Sequence, residues 1–571
     1  MTLQLTPDTA EARKARGAFL TPPELCRYVA DWAIRSASDE VLEPSCGQAA
    51  FLLAAGERLD TLAAVAGDIR SGERGIELHQ VELHGVELHR DSARQAEAFV
   101  RSAGYKARVL AGDFFLVPPN GRYDAVIGNP PYVRYQDFAG EARSRSREAA
   151  LRAGVSLTRL ASSWAAFTVH SALFLKPGGR LGLVLPAELL SVNYAAEVRR
   201  FLMQRFRRVR LMLFTERVFP GVQEEVVLLL ADGYGHGPAD HCELQQVRSA
   251  VELSGAAPLI RTWKPDPVEG KWTRSLLSTA ALETHLTIER SGYFTTLQSW
   301  GETTLGMVTG NNKYFALPAD RASELGLRSD ELLPLSPPGS RHLRGLTFTV
   351  AAHQQLTSTG SSTSLFRPPR QPSRAARRYI QIGERLGVHT AYKCRVRTPW
   401  WRVPLVAPCD VLLTYMNADS PRLCANHAGT HHLNSVHGVY LRPELRELGI
   451  DLLPLGALTS MTLLSAETVG RAYGGGMLKL EPKEADRLAV PEPDVLRNAR
   501  TALAAIRPQV AARLSRPGGL AEAVALVDDI LLVGELGIAA SEVKSLRDAH
   551  VELAARRAAR GGASRALARA R

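Results

Sequence analysis

The chain has 571 residues and a mass of 62.2 kDa, with 70 Lys+Arg against 58 Asp+Glu, a formal charge of +12 and an isoelectric point near 9.5. That length holds several domains, each able to bury a core, and the basic balance suits a polyanionic partner. Six scattered cysteines without paired spacing exclude a disulfide framework, no stretch approaches the ~18–20 apolar residues of a membrane span, and Met1 to Gly17 lacks a signal-peptide core, so a cytoplasmic, nucleoid-associated protein without membrane contact is expected.

In chain order, Leu25–Trp32 has helical apolar spacing, with Thr21 suited to the N-cap, Pro22 to the first helical position and Glu24 to a capping box. The same turn is also a candidate to touch a ligand. Val41–Glu43, the turn Pro44-Ser45-Cys46-Gly47 and the residues to Leu52 read as strand, small-residue turn and helix, the arrangement that lets a nucleoside approach the backbone of a doubly wound sheet. Ala49 stands where a second glycine is expected, which weakens the signal. Residues 75–90 hold three near-copies of a Glu-Leu-His unit. Only the last, Gly85–His89, runs into a helical pattern, so Glu87 fits the acid that ends the second strand and accepts ribose hydroxyls, with Glu82 as a competitor. Its separation from Gly47 implies an insertion near residues 56–80. His79, His84 and His89 share neither a strand face nor a helix face, which argues against a metal site. Ala107–Ala111 reads as strand three, followed by Asp113, able to accept amine hydrogens, and Phe114, able to stack.

Tyr123–Gly128 has the length and composition of a buried parallel strand, which sets Asn129-Pro130-Pro131-Tyr132 at a carboxyl end, where open α/β sheets bind ligands. The prolines stiffen the turn, so the Asn129 side-chain oxygen and the Pro130 carbonyl form a fixed pair of acceptors for an exocyclic amine, and Tyr132 offers a flat face to a planar base. Alone, the tetrapeptide reads equally well as a stiffened turn. Val133–Ser163 is poorly periodic and carries Arg134, Arg143, Arg145, Arg147, Arg152 and Arg159, as a solvated loop or a phosphate-contacting flap. Ser163–Phe174 reads as a helix and Arg180–Pro186 as a strand, completing the alternation of a parallel sheet.

Four successive strand ends thus carry a small-residue turn, an acid, an Asp-aromatic pair and Asn-Pro-Pro-Tyr. With Thr21-Pro22-Pro23 ahead of them, this order resembles the TaqI-like, gamma-class adenine-N6 DNA methyltransferases of restriction-modification and related defence systems, over residues 1 to 230. The resemblance implies a Rossmann-like class I fold, S-adenosylmethionine as cofactor, double-stranded DNA as partner, and a cognate restriction endonuclease or defence-system protein beside it. It also implies that Thr21 and the Glu43, Pro44, Ser45, Cys46 and Gly47 turn border the methionine end, that Glu87 takes the ribose and Asp113 with Phe114 the adenine, and that Pro131 lies against the cofactor. Asn129, Pro130 and Tyr132 are then catalytic, and Phe219 holds the other face of a flipped adenine. The competing readings are an RNA or protein-glutamine methyltransferase and a non-catalytic DNA-binding subunit.

From about Tyr234 the sequence becomes Gly/Pro-punctuated, aromatic and basic, without long helices. The expected organisation is a catalytic α/β domain over residues 1–240, a mixed α+β target-recognition domain over 241–495 and a helical carboxyl-terminal region over 496–571. Gly306–Phe315, Arg367–Arg378 and Tyr392–Arg402 are candidates for base and phosphate contacts, and Tyr473–Pro482 resembles a segment of the recognition domain in this group. Cys424, His427, His431, His432 and His437 lack a second cysteine pair, so no metal is expected.

Overall fold

The computed structural model describes residues 21–65, 81–133, 137, 140–214, 216, 218–219, 225–254, 260–265, 270–473 and 476–559. The chain divides into two compact units, Met1–Ser275 and Leu276–Arg571.

The first unit is built on nine strands: β1 (Val41–Glu43), β2 (Leu83–Glu87), β3 (Ala107–Ala111), β4 (Tyr123–Gly128), β5 (Leu175–Pro186), β6 (Phe206–Phe214), β7 (Val226–Tyr234), β8 (Cys242–Val247) and β9 (Arg261–Trp263). Their order across the sheet is β3-β2-β1-β4-β5-β7-β6-β8-β9. The strands from β3 to β5 are parallel, and β7 lies antiparallel between β5 and β6. The strand order reverses between β1 and β4, which opens a crevice at their carboxyl ends. The central strands are near-continuous apolar runs because both faces are covered; Ala125–Ile127, Leu183–Leu185 and Val227–Leu230 are all buried.

Helices α1 (Pro23–Ala33), α2 (Ala50–Val65), α3 (Arg90–Ser102), α4 (Gly140–Arg152), α5 (Ser163–Ala172), α6 (Glu188–Ser191) and α7 (Ala196–Arg205) complete the unit. α1 lies directly on β5, for a Cβ at Gly182 would stand 2.7 Å from Val29 Cγ1. The buried Arg180 joins the two, donating from Nη1 to the Trp32 carbonyl at the end of α1 (2.7 Å) and from Nε to Asp232 of β7 (3.0 Å). A guanidinium paired at both ends offsets much of its desolvation.

Three expectations change. The helix start is not capped by Thr21: Pro22 occupies the N-cap position without a side-chain bond, and its carbonyl takes the Leu25 and Cys26 N–H groups. Residues 140–152 are a helix, not a loop; α4 buries only Ser146, Ala149 and Ala150, so a contact made by small residues leaves no apolar period to read. The boundary expected after residue 240 falls after Ser275, because β8 and β9 extend the sheet beyond β6.

The second unit holds a four-stranded sheet in the order Gly301–Leu305, Val436–Leu441, Val411–Thr414, Leu423–Ala425, together with smaller sheets and several helices. The helices Thr279–Arg290, Arg374–Arg385, Arg446–Gly456 and Ser460–Val469 interrupt a stretch expected to lack them. Nearly every residue of Ser460–Val469 is buried, so it shows no polar stripe. The carboxyl-terminal helices share the same core: Leu503, Val510 and Val527 pack with Leu297, Trp300 and Leu452. Asp528 accepts from Ser460 N (2.8 Å) and from Arg547 (2.8 Å), and Arg557 is buried against Glu467 at 2.7 Å. The region from 496 onward is therefore part of the second unit rather than a separate tail. Among the described residues no single helix is long and apolar enough to cross a membrane.

Candidate active site

The crevice between β1 and β4 gathers the residues that the strand ends display. Cys46 N donates to the Val86 carbonyl (3.0 Å), and Gly47 N donates to Glu87 Oε2 (3.1 Å), so the β1 turn is tied to the end of β2. The other Glu87 oxygen accepts from His89 N at 3.2 Å. Glu82 sits at the opposite end of β2, paired with His84 at 2.9 Å, which removes it as a rival to Glu87 for the crevice. Gly47 and Ala49 both adopt positive φ, +47° and +62°, and Ala49 alone does so among the described non-glycine residues. The turn thus makes the backbone excursion of Gly-x-Gly with alanine in the second place, at a steric cost of roughly 1–2 kcal/mol. Gly47 faces open space, with no atom within 4 Å of a Cβ built there.

Glu43 points elsewhere. Its side chain is 3% exposed and accepts from Leu52 N in the first turn of α2 at 3.1 Å. Burial, reinforced by the Glu87 charge, pushes its carboxyl well above the usual range, against the opposing pull of the Leu52 bond. Burial and then Glu43 and Glu87 likewise push the Cys46 thiol up, so it stays protonated and is no nucleophile.

Asp113 follows β3, accepts from Phe115 N at 3.0 Å and lies 3.5 Å from Arg145 of α4. The Phe114 ring, expected as a stacking face, is buried instead against Phe174 and Phe167, centroids 5.1 and 5.5 Å away, with His170 edge-on at 4.8 Å. The position keeps its place beside the crevice while its ring belongs to the core.

Asn129 leaves β4 where Gly128 brings the strand against the β1 end; a Cβ at Gly128 would lie 3.4 Å from Pro44 and 3.5 Å from Glu43. Asn129 Nδ2 donates to Thr21 Oγ1 at 3.1 Å. That bond turns the amide oxygen the other way, and the Tyr132 hydroxyl lies 2.7 Å from Asn129 Oδ1 and 2.9 Å from the Val184 carbonyl. One hydroxyl proton serves two acceptors. Tyr132 is 8% exposed, so its ring is an inward brace rather than the open face expected. Phe219, in the connection from β6 to β7, is also buried, and its neighbours Arg217, Pro220 and Gly221 lie outside the described residues.

The prolines do not hold the turn alone. Ser163, the first residue of α5, donates from Oγ to the Pro131 carbonyl, accepts from Val133 N at 2.9 Å, and donates its own N–H to the Val133 carbonyl at 3.0 Å. The sequence marks Ser162-Ser163 only as a pair suited to starting a helix, and carries no sign that it clamps a turn 30 residues away. The pairing of Arg145 with Asp113 and that of Tyr132 with the Val184 carbonyl are equally invisible without the fold.

In the second unit, the candidate contact stretches divide. Asn311 caps a short helix through Tyr314 N (3.1 Å), and Tyr314 stacks on Tyr379, so these two side chains are spent internally while Lys313 stays exposed. Tyr392 is exposed with Lys393 and Arg395 over its ring, 5.7 and 5.9 Å from the centroid, while Arg397 is turned in toward the Thr309 carbonyl. His431 and His437 bond to the Val406 and Leu480 carbonyls.

A sheet that is parallel from β3 to β5, reverses at β1/β4, carries the antiparallel β7 between β5 and β6 and ends β4 in Asn-Pro-Pro-Tyr defines a class I methyltransferase fold. Residues 4–232 match the N-6 DNA Methylase family, and residues 269–532 match the C-terminal domain of type II methyltransferase M.Eco57I. The type II methyltransferase M.XamI of Xanthomonas campestris pv. amaranthicola is 24% identical over 487 residues, covering 83% of this chain and 85% of that protein. M.AccI of Acinetobacter calcoaceticus is 24% identical over 388 residues, covering 66% and 71%. Among solved structures, the type IIL restriction-modification enzyme MmeI in complex with DNA aligns over 91% of this chain and 73% of its own with a TM-score of 0.52 and 10% identity, a likeness of fold. With these matches the chain is a site-specific DNA methyltransferase that modifies adenine at N6.

Proposed function

We propose that the turn after β4 receives an adenine flipped out of duplex DNA and presents its amine to S-adenosylmethionine held across the β1/β4 crevice. The observation that carries this reading is the fixed orientation of Asn129, whose Nδ2 is occupied by Thr21 while Oδ1 faces the turn. The crevice suits the cofactor's chemistry: Glu87 accepts ribose hydroxyls, Asp113 accepts adenine amine hydrogens, and the turn from Pro44 to Gly47 leaves backbone open to close approach. When bound, the cofactor supplies a methyl group activated by its sulfonium.

Asn129 Oδ1 and the Pro130 carbonyl each accept one N–H of the adenine amine, draw its lone pair out of the ring and stabilise the positive charge that develops as N6 gains the methyl. The amine then loses a proton to water. Val184 gives the Tyr132 hydroxyl a second acceptor, which lets it leave an Asn129 lone pair free for the substrate. Pro131 borders the reacting groups, Ser163 holds its carbonyl in place, and Phe219 is the aromatic for the far side of the adenine. The second unit reads the recognition sequence, with Tyr392, Lys393 and Arg395 as its exposed contact group. A restriction endonuclease reading the same sequence is the expected companion.

Purified protein, labelled cofactor and duplex, RNA or protein acceptors test this. Label is expected in duplex DNA, and Asn129→Ala is expected to lower its rate by at least ~10²-fold with DNA binding retained. Incorporation by Asn129→Ala at the unmodified rate, or label in RNA or protein and not DNA, would overturn the reading.

A further inference from the structure

The second unit contains a cleft of about 1000 Å³ that no step above uses. Arg341, Arg344, Arg422, Arg507 and Arg516 line it, with Asp419 as the single acid among the lining residues. They come from three separate stretches: the loop 341–347, the turn 419–422 and the hairpin formed by the helices Arg500–Leu514 and Leu520–Asp528, with Arg507 on the first helix and Arg516 in the connection. Asp419 is shared by Arg344 and Arg422, and Arg507 is held by Asp451 at 2.7 Å. Arg516 is exposed and pairs with the equally exposed Glu522 at 3.1 Å, and Arg341 is exposed with no ion pair among the described residues. Arg422 is 3% exposed, and its Nε has no hydrogen-bond partner. Asp419 and the Ser420 and Pro421 carbonyls take its two Nη groups, so Nε alone is left for a further acceptor.

The backbone points the same way. The helix Leu520–Asp528 begins at the cleft wall without a side-chain cap, so the N–H groups of its first turn lack acceptors. Gly518, with φ +79°, and Gly345 also line the cleft, and each would direct a Cβ into open space, which leaves room for a ligand against the main chain.

We propose that this cleft binds phosphate groups of the DNA backbone, outside the bases read for sequence. Guanidiniums from three segments beside an uncapped helix start match phosphoryl oxygens, which take bidentate donors, and the cleft's rim is open enough for a polymer to enter and leave. Its contribution is sequence-independent affinity through counterion release, separate from methyl transfer. This inference rests on the DNA methyltransferase reading, but its failure would leave methyl incorporation into DNA intact.

The test is DNA binding by the full chain as a function of salt, with Arg341→Gln/Arg516→Gln and Ser515→Glu, which places a carboxylate on the cleft wall. Removing one cation that neutralises a phosphate lowers the slope of log K against log salt by about 0.9. The double variant is expected to lose between about one and two units of slope with unchanged kcat at saturating DNA in low salt, and Ser515→Glu to weaken binding in the same direction. Thermal unfolding identical to the parent shows that the variants fold. A slope equal to the parent's in both variants overturns the proposal. So does binding of inorganic pyrophosphate or a mononucleotide that the double variant abolishes while its DNA slope stays at the parent value, since the cleft would then serve a free phosphate.

Discussion

The β1/β4 crevice and the arginine cleft handle charge in opposite ways. The crevice collects Glu43, Glu87 and Asp113 at three strand ends, with Arg145 at 3.5 Å from Asp113, and fixes its side chains by hydrogen bonds to backbone. The cleft collects five guanidiniums around one carboxylate, two of them on exposed side chains. The first arrangement suits chemistry, which needs atoms held in one place around a cationic methyl donor. The second suits binding, in which long mobile cations exchange counterions for phosphate. The two regions should therefore fail differently, and mutations can separate them.

The sharpest separation comes from Ser163→Ala. Ser163 is a positioning residue that acts through Pro131 and Val133, so its loss frees the turn without removing a group that touches the adenine. A displacement approaching 1 Å in a reacting group lowers the rate by up to ~10²-fold, so kcat is expected to fall by about 10–100-fold while KM for DNA and the salt slope stay unchanged. Ser163→Thr, which keeps the hydroxyl, should recover most of the loss. A fall confined to KM would mean that Ser163 serves DNA binding, and the division between the regions would not hold.

Glu87→Gln comes next in size. The substitution keeps one acceptor for Gly47 N and removes the charge that strengthens hydrogen bonds to ribose hydroxyls. A charge-assisted bond contributes ~1.5–3 kcal/mol, of which the amide retains a part, so cofactor Kd by calorimetry should rise about tenfold. Cofactor affinity equal to the parent's would return the ribose role to an unassigned residue.

How much of this was legible follows from the same comparison. In the crevice each functional position sits within a few residues of a strand end, so the apolar run Tyr123–Gly128 announces Asn129, and Gly85–Val86 announces Glu87. Where a side chain turns inward, the sequence misled: Phe114, Tyr132 and Glu43 stand at the expected positions, yet burial decides what each one offers. Thr21 shows the converse, a residue suited to a helix cap whose hydroxyl meets Asn129 instead. The clamp of Ser163 on Pro131 and the cleft joining Arg341 to Arg516 depend on contacts between distant segments, which no local pattern encodes.

The smallest expected effect concerns Glu43, because it tests whether a carboxylate in the crevice serves the fold or the ligand. In the folded chain burial holds its carboxyl well above the usual range, while in the unfolded chain it titrates near the ordinary ~4.3. At pH below the unfolded value both states hold the proton and the site carries no penalty. As pH rises through that value the unfolded chain releases its proton first, so stability falls until pH passes the folded value and levels off there. Glu43→Gln removes this titration and keeps a carbonyl oxygen for the Leu52 N–H. The variant should therefore gain on the parent as pH rises above the ordinary carboxylate value, until the folded value is passed, by roughly 2–4 °C in unfolding midpoint for each kcal/mol recovered in a unit of this size. Its cofactor affinity should match the parent's, since the side chain faces α2. A midpoint difference that stays flat with pH would show that Glu43 ionises freely when folded, and a loss of cofactor affinity would return it to the binding site.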